Sequence, residues 1–146
     1  MQTLRIIRQK IPPGVRLIGV AKGQPLEKIK AAVQEGLEDL GENYAQELTR
    51  HAAELPTSVR WHFIGHLQKN KVKQVVSVAE WIHSVDSLSL AQEINARAAA
   101  IGKIQKILVE VRLGGEETKT GLPPGEADSL VAGIAPLENL SLVGLM

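Results

Sequence analysis

The sequence contains no cysteine. Disulfides and thiolate metal sites are therefore excluded, and the chain suits a reducing compartment, with the cytoplasm as the expected location. An excess of either charge is also missing: 17 basic against 16 acidic residues leave a formal net charge of +1. Such a balance creates no field that would draw the chain to nucleic acid. No apolar run approaches the roughly 20 residues that span a bilayer, and the amino terminus lacks a signal-peptide core, so no membrane partner is expected. No Gly-rich phosphate fingerprint follows any early strand; Gly114-Gly115 alone reads as a loop device. The four histidines form no recognisable ligand set, because His62 and His66 straddle a strand end instead of sharing a helix face. No metal site is expected.

What remains is ordinary globular material: 146 residues, 44% of them hydrophobic, suffice for one domain with its own core. Residues 2–11 place Leu4, Ile7 and Ile11 on one helical stripe, and Pro12-Pro13-Gly14 stops that helix. Residues 16–22, Arg-Leu-Ile-Gly-Val-Ala-Lys, suit a short strand buried on both faces, with Lys22 at its carboxyl end. Gly23-Gln24-Pro25 breaks the strand, and Pro25 suits the first turn of a helix carrying Leu26, Ile29, Ala32 and Val33. Gly36 is its expected left-handed cap.

The rhythm then repeats. Leu37 to Glu42 supply a second strand, and Asn43 opens a helix through Leu55, with Tyr44 packed at its start and Pro56 closing it. Trp61 to Gly65 have the content of a third strand, followed by a helix with Val72, Val75, Val76 and Ala79. Trp81 to Val85 form a fourth, after which Asp86 or Ser87 caps a helix over 88–101. Residues 106–112 make a fifth strand, Pro123-Pro124 start a helix to Ala135, and residues 140–146 begin a sixth strand. Strand starts near 16, 39, 61, 81, 106 and 140, the first five each followed by a helical pattern, specify an α/β fold with parallel strands. A doubly wound sheet is one solution. The near-equal spacing fits a (β/α)8 TIM-barrel type better, present here as an incomplete barrel of about six strands, since a whole barrel takes about 200 residues or more.

In both folds ligands bind at the carboxyl ends of strands, and those ends carry Lys22, Asn43, His66, His83, Asp86 and the loop Glu116-Glu117-Thr118-Lys119. Each has an ordinary reading alone: an exposed lysine, helix N-caps at Asn43 and Asp86, structural histidines. Sharing one rim, they read differently. A lysine at an apolar barrel mouth is a candidate nucleophile, because desolvation and nearby cations favour its neutral amine, and a neutral amine attacks aldehydes. Pyridoxal phosphate is the aldehyde cofactor that such a lysine suggests.

Six motifs carry a resemblance. Val20-Ala21-Lys22 with Pro25, Gly41-Glu42-Asn43-Tyr44-Ala45-Gln46-Glu47, Trp61-His62-Phe63-Ile64-Gly65-His66-Leu67-Gln68 followed by Asn70-Lys71, Ile82-His83-Ser84-Val85-Asp86, Gly115-Glu116-Glu117-Thr118-Lys119 with Gly121-Leu122, and Gly144-Leu145-Met146 occur in order. The chain in this respect resembles the pyridoxal phosphate homeostasis protein family, from about residue 16 to its end. It departs from the family pattern at Ala21, where Ser or Thr is usual, at Gly23-Gln24, and at Arg112, where Asn is frequent.

The resemblance implies that residues 1–146 form a single partial alanine racemase-like barrel domain, truncated at its carboxyl end. It also implies that Lys22 holds pyridoxal 5'-phosphate as a Schiff base, with Asn43, His83 and Met146 lining the pocket. The implied role is that of a carrier or regulator in intracellular vitamin B6 homeostasis, with no assigned reaction. A racemase-type enzyme and a truncated fragment that binds no cofactor are the alternatives. The family's Ser-rich and Arg-Gly segments, which hold the phosphate and face the pyridine nitrogen, would follow Met146. Family members are implied to be monomeric, whereas open, apolar edges on strands 16–22 and 140–146 are expected to make this chain self-associate.

Overall fold

A computed structural model describes residues 2–114 and 120–146. The motif segment 115–119 lies outside the described residues. The six strands are β1 (Ile18–Val20), β2 (Asp39–Glu42), β3 (Arg60–Phe63), β4 (Trp81–Val85), β5 (Gln105–Val109) and β6 (Leu140–Leu145). They form one sheet in the order β1-β2-β3-β4-β5-β6, every pair parallel. Helices α1 (Gln2–Lys10), α2 (Leu26–Gln34), α3 (Ala45–Glu54), α4 (Val72–Val76), α5 (Leu88–Ala100) and α6 (Ala127–Ile134) precede and link them. Sequential parallel order with a helix in each crossover is the arc of an incomplete α/β barrel. A doubly wound sheet would instead reverse its strand order. Among the described residues no helix is long and apolar enough to cross a membrane.

The core lies between the sheet and its helices. Leu40, Phe63, Ile82 and Ile107 point outward from successive strands and meet Leu48, Val72, Val75 and Ile94 from the helices, all of them buried. Burying each such side chain contributes about 1.5–3 kcal/mol relative to exposure. Residues of the opposite parity face the concave side, and at its middle they are Asp39, Arg60, His62, Trp81, His83 and Lys106, a mostly polar set. That alternation fixes the site.

Several expectations need correction. The first strand is confined to Ile18–Val20, and it is not buried on both faces: Val20 is 56% exposed. As an edge strand it pairs with β2 alone in the described sheet, so nothing covers its concave side. Pro25 precedes α2 instead of occupying its first turn, and its carbonyl accepts from Lys28 and Ile29 N–H. Likewise α3 begins at Ala45, leaving Asn43 as a linking residue and not a cap. Of the leading stripe, Leu4 packs against the core while Ile7 is exposed, because α1 touches the domain along one edge only. The helix after Pro123 opens with a 3-10 turn over Pro124–Glu126. The caps at Gly36, with φ +90°, and Ser87, whose hydroxyl accepts from Leu90 N–H at 3.3 Å, stand as the sequence indicates.

Gly65 follows β3 and lets its backbone pass close to Asn43. A Cβ there would fall 2.2 Å from the Asn43 carbonyl oxygen and 2.6 Å from its Cα, and backbone cannot yield as a flexible side chain can. Gly65→Ala is expected to cost about 1–3 kcal/mol in urea unfolding, while Gly125→Ala, which meets open space, leaves the midpoint within about 0.5 kcal/mol. Equal midpoints for both variants would show that the close approach does not exist.

Candidate functional site

Lys22 and Asn43 stand beyond the carboxyl ends of β1 and β2, whereas His83, expected at a strand end, lies in the middle of β4. Pairing of Val20 with Gly41, of Glu42 with Phe63 and of Phe63 with Ile82, each extended along its strand, brings all three to one level of the sheet. Beyond β1, Ala21 N–H still donates to Gly41 O at 2.9 Å, and buried Ala21 faces the helices. By alternation Lys22 turns to the concave side. Its ammonium reaches across the rim, 5.9 Å from the centre of the Tyr44 ring, a cation–π approach to the residue after Asn43.

Two expectations fail here. Lys22 is exposed, so the desolvated apolar mouth proposed to activate it is not formed by the described residues. Tyr44 does not pack at its helix start; it is 55% exposed and stands over Lys22. Both follow from the open edge at β1, which leaves this end of the arc facing solvent.

Asn43 is held from below by a buried pair that the sequence reading missed. Glu42, at the end of β2, points into the helix layer, where His51 Nδ1 of α3 lies 2.9 Å from its Oε1. Its other oxygen accepts from Asn43 N–H at 3.2 Å. Both side chains are fully buried, and the His51 ring stacks on Trp61 with centroids 6.4 Å apart. The available signal was a carboxylate ending an apolar strand, followed by a histidine on the inward stripe of the next helix. Beside Asn43 a hollow of about 460 Å3 opens between Tyr44, His66, Gln68 and Lys71.

His83 is held through a second missed group, a column rising up the concave face. At its foot Asp39 accepts from Arg60 Nε at 3.0 Å and Nη2 at 2.6 Å, with Arg16 Nη1 3.5 Å away. His62 Nε2 donates to Asp39 Oδ1 at 2.9 Å, and His62 Nδ1 lies 2.9 Å from His83 Nε2. Trp81 walls the column: its ring stacks on His62 at 5.6 Å, with Arg16 and Lys106 over the indole at 5.2 and 5.0 Å. Burial alone would push the Asp39 carboxyl up, but hydrogen bonds from Arg60 and His62 and the charges of Arg60 and Arg16 outweigh it and hold the group below its ordinary value. Burial lowers His62 against the opposing pull of Asp39. Burial and the neighbouring His62 lower His83 to about 4. Alternation could have revealed this column, since Asp39, His62 and His83 all stand at concave-facing positions.

Met146 stands at the end of the strand farthest from Lys22 and two strands from His83. It follows β6, the far edge strand, higher on the ladder than His83 and separated from β1 by the whole arc, and it is 47% exposed. Asp86 and His66 flank the rim, His66 exposed and Asp86 half-buried. The loop residues Glu116, Glu117, Thr118 and Lys119 lie outside the described residues.

A pH dependence follows from His62 and His83. The unfolded chain takes up protons near pH 6.5, whereas buried His62 is held below that value and half-buried His83 stays neutral until about pH 4, so stability falls as pH drops below about 6.5. Below about 3.8, protonation of Asp39 adds a further loss. Urea midpoints are expected to be lower at pH 5 than at pH 7.5, with a smaller drop in His83→Gln; a rise at pH 5 would contradict the assignment.

The model for the alanine racemase N-terminal domain matches residues 2–146. Two proteins named pyridoxal phosphate homeostasis protein are each 37% identical: that of Pseudomonas aeruginosa over 136 residues and that of Escherichia coli K12 over 139. Each alignment covers 92% of this chain and 59% of the relative, so the chain spans about three fifths of their length. The solved structure of PipY from Synechococcus elongatus with PLP bound superposes with a TM-score of 0.92 at 34% identity, covering 99% of this chain and 68% of that one. An alanine racemase from Clostridium difficile shares the fold, with a TM-score of 0.84 at 21% identity over 99% of this chain and 38% of that one.

Proposed function

Because the chain belongs to the alanine racemase N-terminal domain family, we propose that it binds pyridoxal 5'-phosphate on Lys22 and serves in vitamin B6 homeostasis as a carrier or regulator without a turnover reaction. The observation that carries this reading is the shared level of Lys22, Asn43 and His83 at the carboxyl end of the sheet, where parallel α/β folds bind ligands. When bound, the cofactor supplies an aldehyde that a lysine amine captures as a Schiff base.

The residues present fit such a group. Lys22 offers an amine within reach of solvent, which an incoming aldehyde needs. Concave-facing Val20 and Ile64 give apolar surface beside it for a planar ring. Asn43, whose backbone is tied down by the Glu42–His51 pair, supplies an amide able to donate and accept, and His83 adds an uncharged imidazole. Met146 belongs to the proposed pocket on family likeness alone. In this reading residues 1–146 are one partial barrel domain, the compartment is the cytoplasm, and no nucleic acid or membrane is a partner.

One observation favours a second reading, a racemase-type enzyme. The Lys22 amine lies over the Tyr44 ring, 5.9 Å from its centre, so a second group able to carry a proton stands at the rim. Amino-acid racemisation that is lost in both Lys22→Ala and Tyr44→Phe would establish it.

Incubation with pyridoxal phosphate followed by borohydride reduction and peptide mass spectrometry is expected to place the adduct on Lys22, and Lys22→Ala is expected to lose it. Asn43→Ala should weaken loading about tenfold while leaving the adduct on the same residue. Label spread evenly over surface lysines would overturn the assignment.

We further propose that the 1–146 polypeptide, expressed by itself, associates through β1 and β6, each of which pairs on one side only in the described sheet. Sedimentation should give a mass above that of one chain that falls on dilution; a concentration-independent monomer would refute this.

A further inference from the structure

The column on the concave face has a fixed hydrogen-bond polarity. Asp39 takes two N–H groups from Arg60 and is ionised, so it only accepts. His62 Nε2, 2.9 Å from its Oδ1, must therefore carry a hydrogen. A neutral imidazole has one N–H, which leaves His62 Nδ1 as an acceptor 2.9 Å from His83 Nε2. His83 Nε2 then carries the hydrogen, and its Nδ1 keeps a free lone pair.

The alternative polarity would require His62 to be an imidazolium. That column would then hold an imidazolium beside Arg16, Arg60 and Lys106, three cations already matched by Asp39, by Glu38 at 2.8 Å from Arg60 and by Glu80 beside Lys106, with His62 almost wholly buried. Lys106 already has its own partner, Glu80, at 2.7 Å. Uncompensated charge in such surroundings is costly, and neutral His62 is the state that avoids it.

We propose that Asp39 and His62 are positioning residues that fix His83 in the Nε2–H tautomer, so that its unprotonated Nδ1 meets the ligand at the carboxyl end of the sheet. The ligand half of this inference rests on the function proposed above; the tautomer half does not. An acceptor nitrogen matches a ligand presenting an N–H or O–H donor, such as a phenol. A cationic His83 would have demanded an anion. Second-layer carboxylates that orient an imidazole in this way act through the ring they hold, without touching the ligand.

The test begins on the unmodified chain without cofactor. Long-range proton–nitrogen correlation spectra at pH 7.5 separate the two neutral tautomers from the imidazolium, and four histidines are few enough to assign by single His→Gln changes. The expected pattern is neutral Nε2–H at both His62 and His83. An imidazolium at either, or Nδ1–H at His83, overturns the proposal.

Asp39→Asn should populate Nδ1–H at His83 and raise the apparent Kd for pyridoxal phosphate about tenfold, while borohydride still traps the adduct on Lys22. Asp39→Glu, which retains the carboxylate, should restore the tautomer and guards against an Asn variant that does not fold. Unchanged tautomers and affinity in Asp39→Asn would remove Asp39 from this role. Absence of any adduct on Lys22 in the unmodified chain would sink the function proposed above, and the spectra would still decide the column.

Discussion

A parallel strand has two faces and a period of two, and everything placed on this sheet obeys that constraint. Leu40 and Glu42 go to the helices, Asp39 and Gly41 to the concave side; Trp61 and Phe63 go outward, Arg60 and His62 inward. A shift of one residue in any strand would send its charged set into the helix layer and its apolar set into the lumen. The register is therefore as much a requirement of the polar column as of the hydrophobic core.

The two buried polar arrangements show how each face solves the same problem. On the helix side, Glu42 is removed from water and answered by His51 and the Asn43 N–H. On the concave side, Asp39 is answered by the two parallel N–H groups of Arg60, by His62 and by Arg16. Burying a carboxylate is tolerable only when its oxygens are so occupied. Both networks end in a residue of the rim, Asn43 in one case and His83 in the other. Rim groups anchored to buried partners keep their orientation before any ligand arrives, which reduces the ordering cost of binding. Lys22 differs: it stands beyond an edge strand, exposed, with Tyr44 as its neighbour.

Much of the architecture was legible in the chain. The recurrence of apolar runs with helical stretches between them specified parallel α/β order, and all six strands lie where those runs are. Boundaries fared less well, as in the first strand, because a run such as Arg16 to Lys22 records hydrophobicity and not how many residues find a pairing partner. Of the site, Lys22, Asn43 and His83 stood out as polar residues that close or interrupt apolar strands. Asp39, Glu42 and His51 did not, since a charged residue inside an apolar stretch has no visible partner until distant segments are brought together.

By itself the sequence determined the class of fold, the end of the sheet where polar groups collect, and the family resemblance, because these depend on periodicity and local residue order. Tertiary structure alone decided that Asp39, His62 and His83 form one column, that Glu42 meets His51, that Tyr44 stands over Lys22, and that Met146 follows the strand farthest from Lys22. Those pairings follow from strand register and crossover geometry, which join residues from nine to 23 positions apart through contacts that no local pattern encodes.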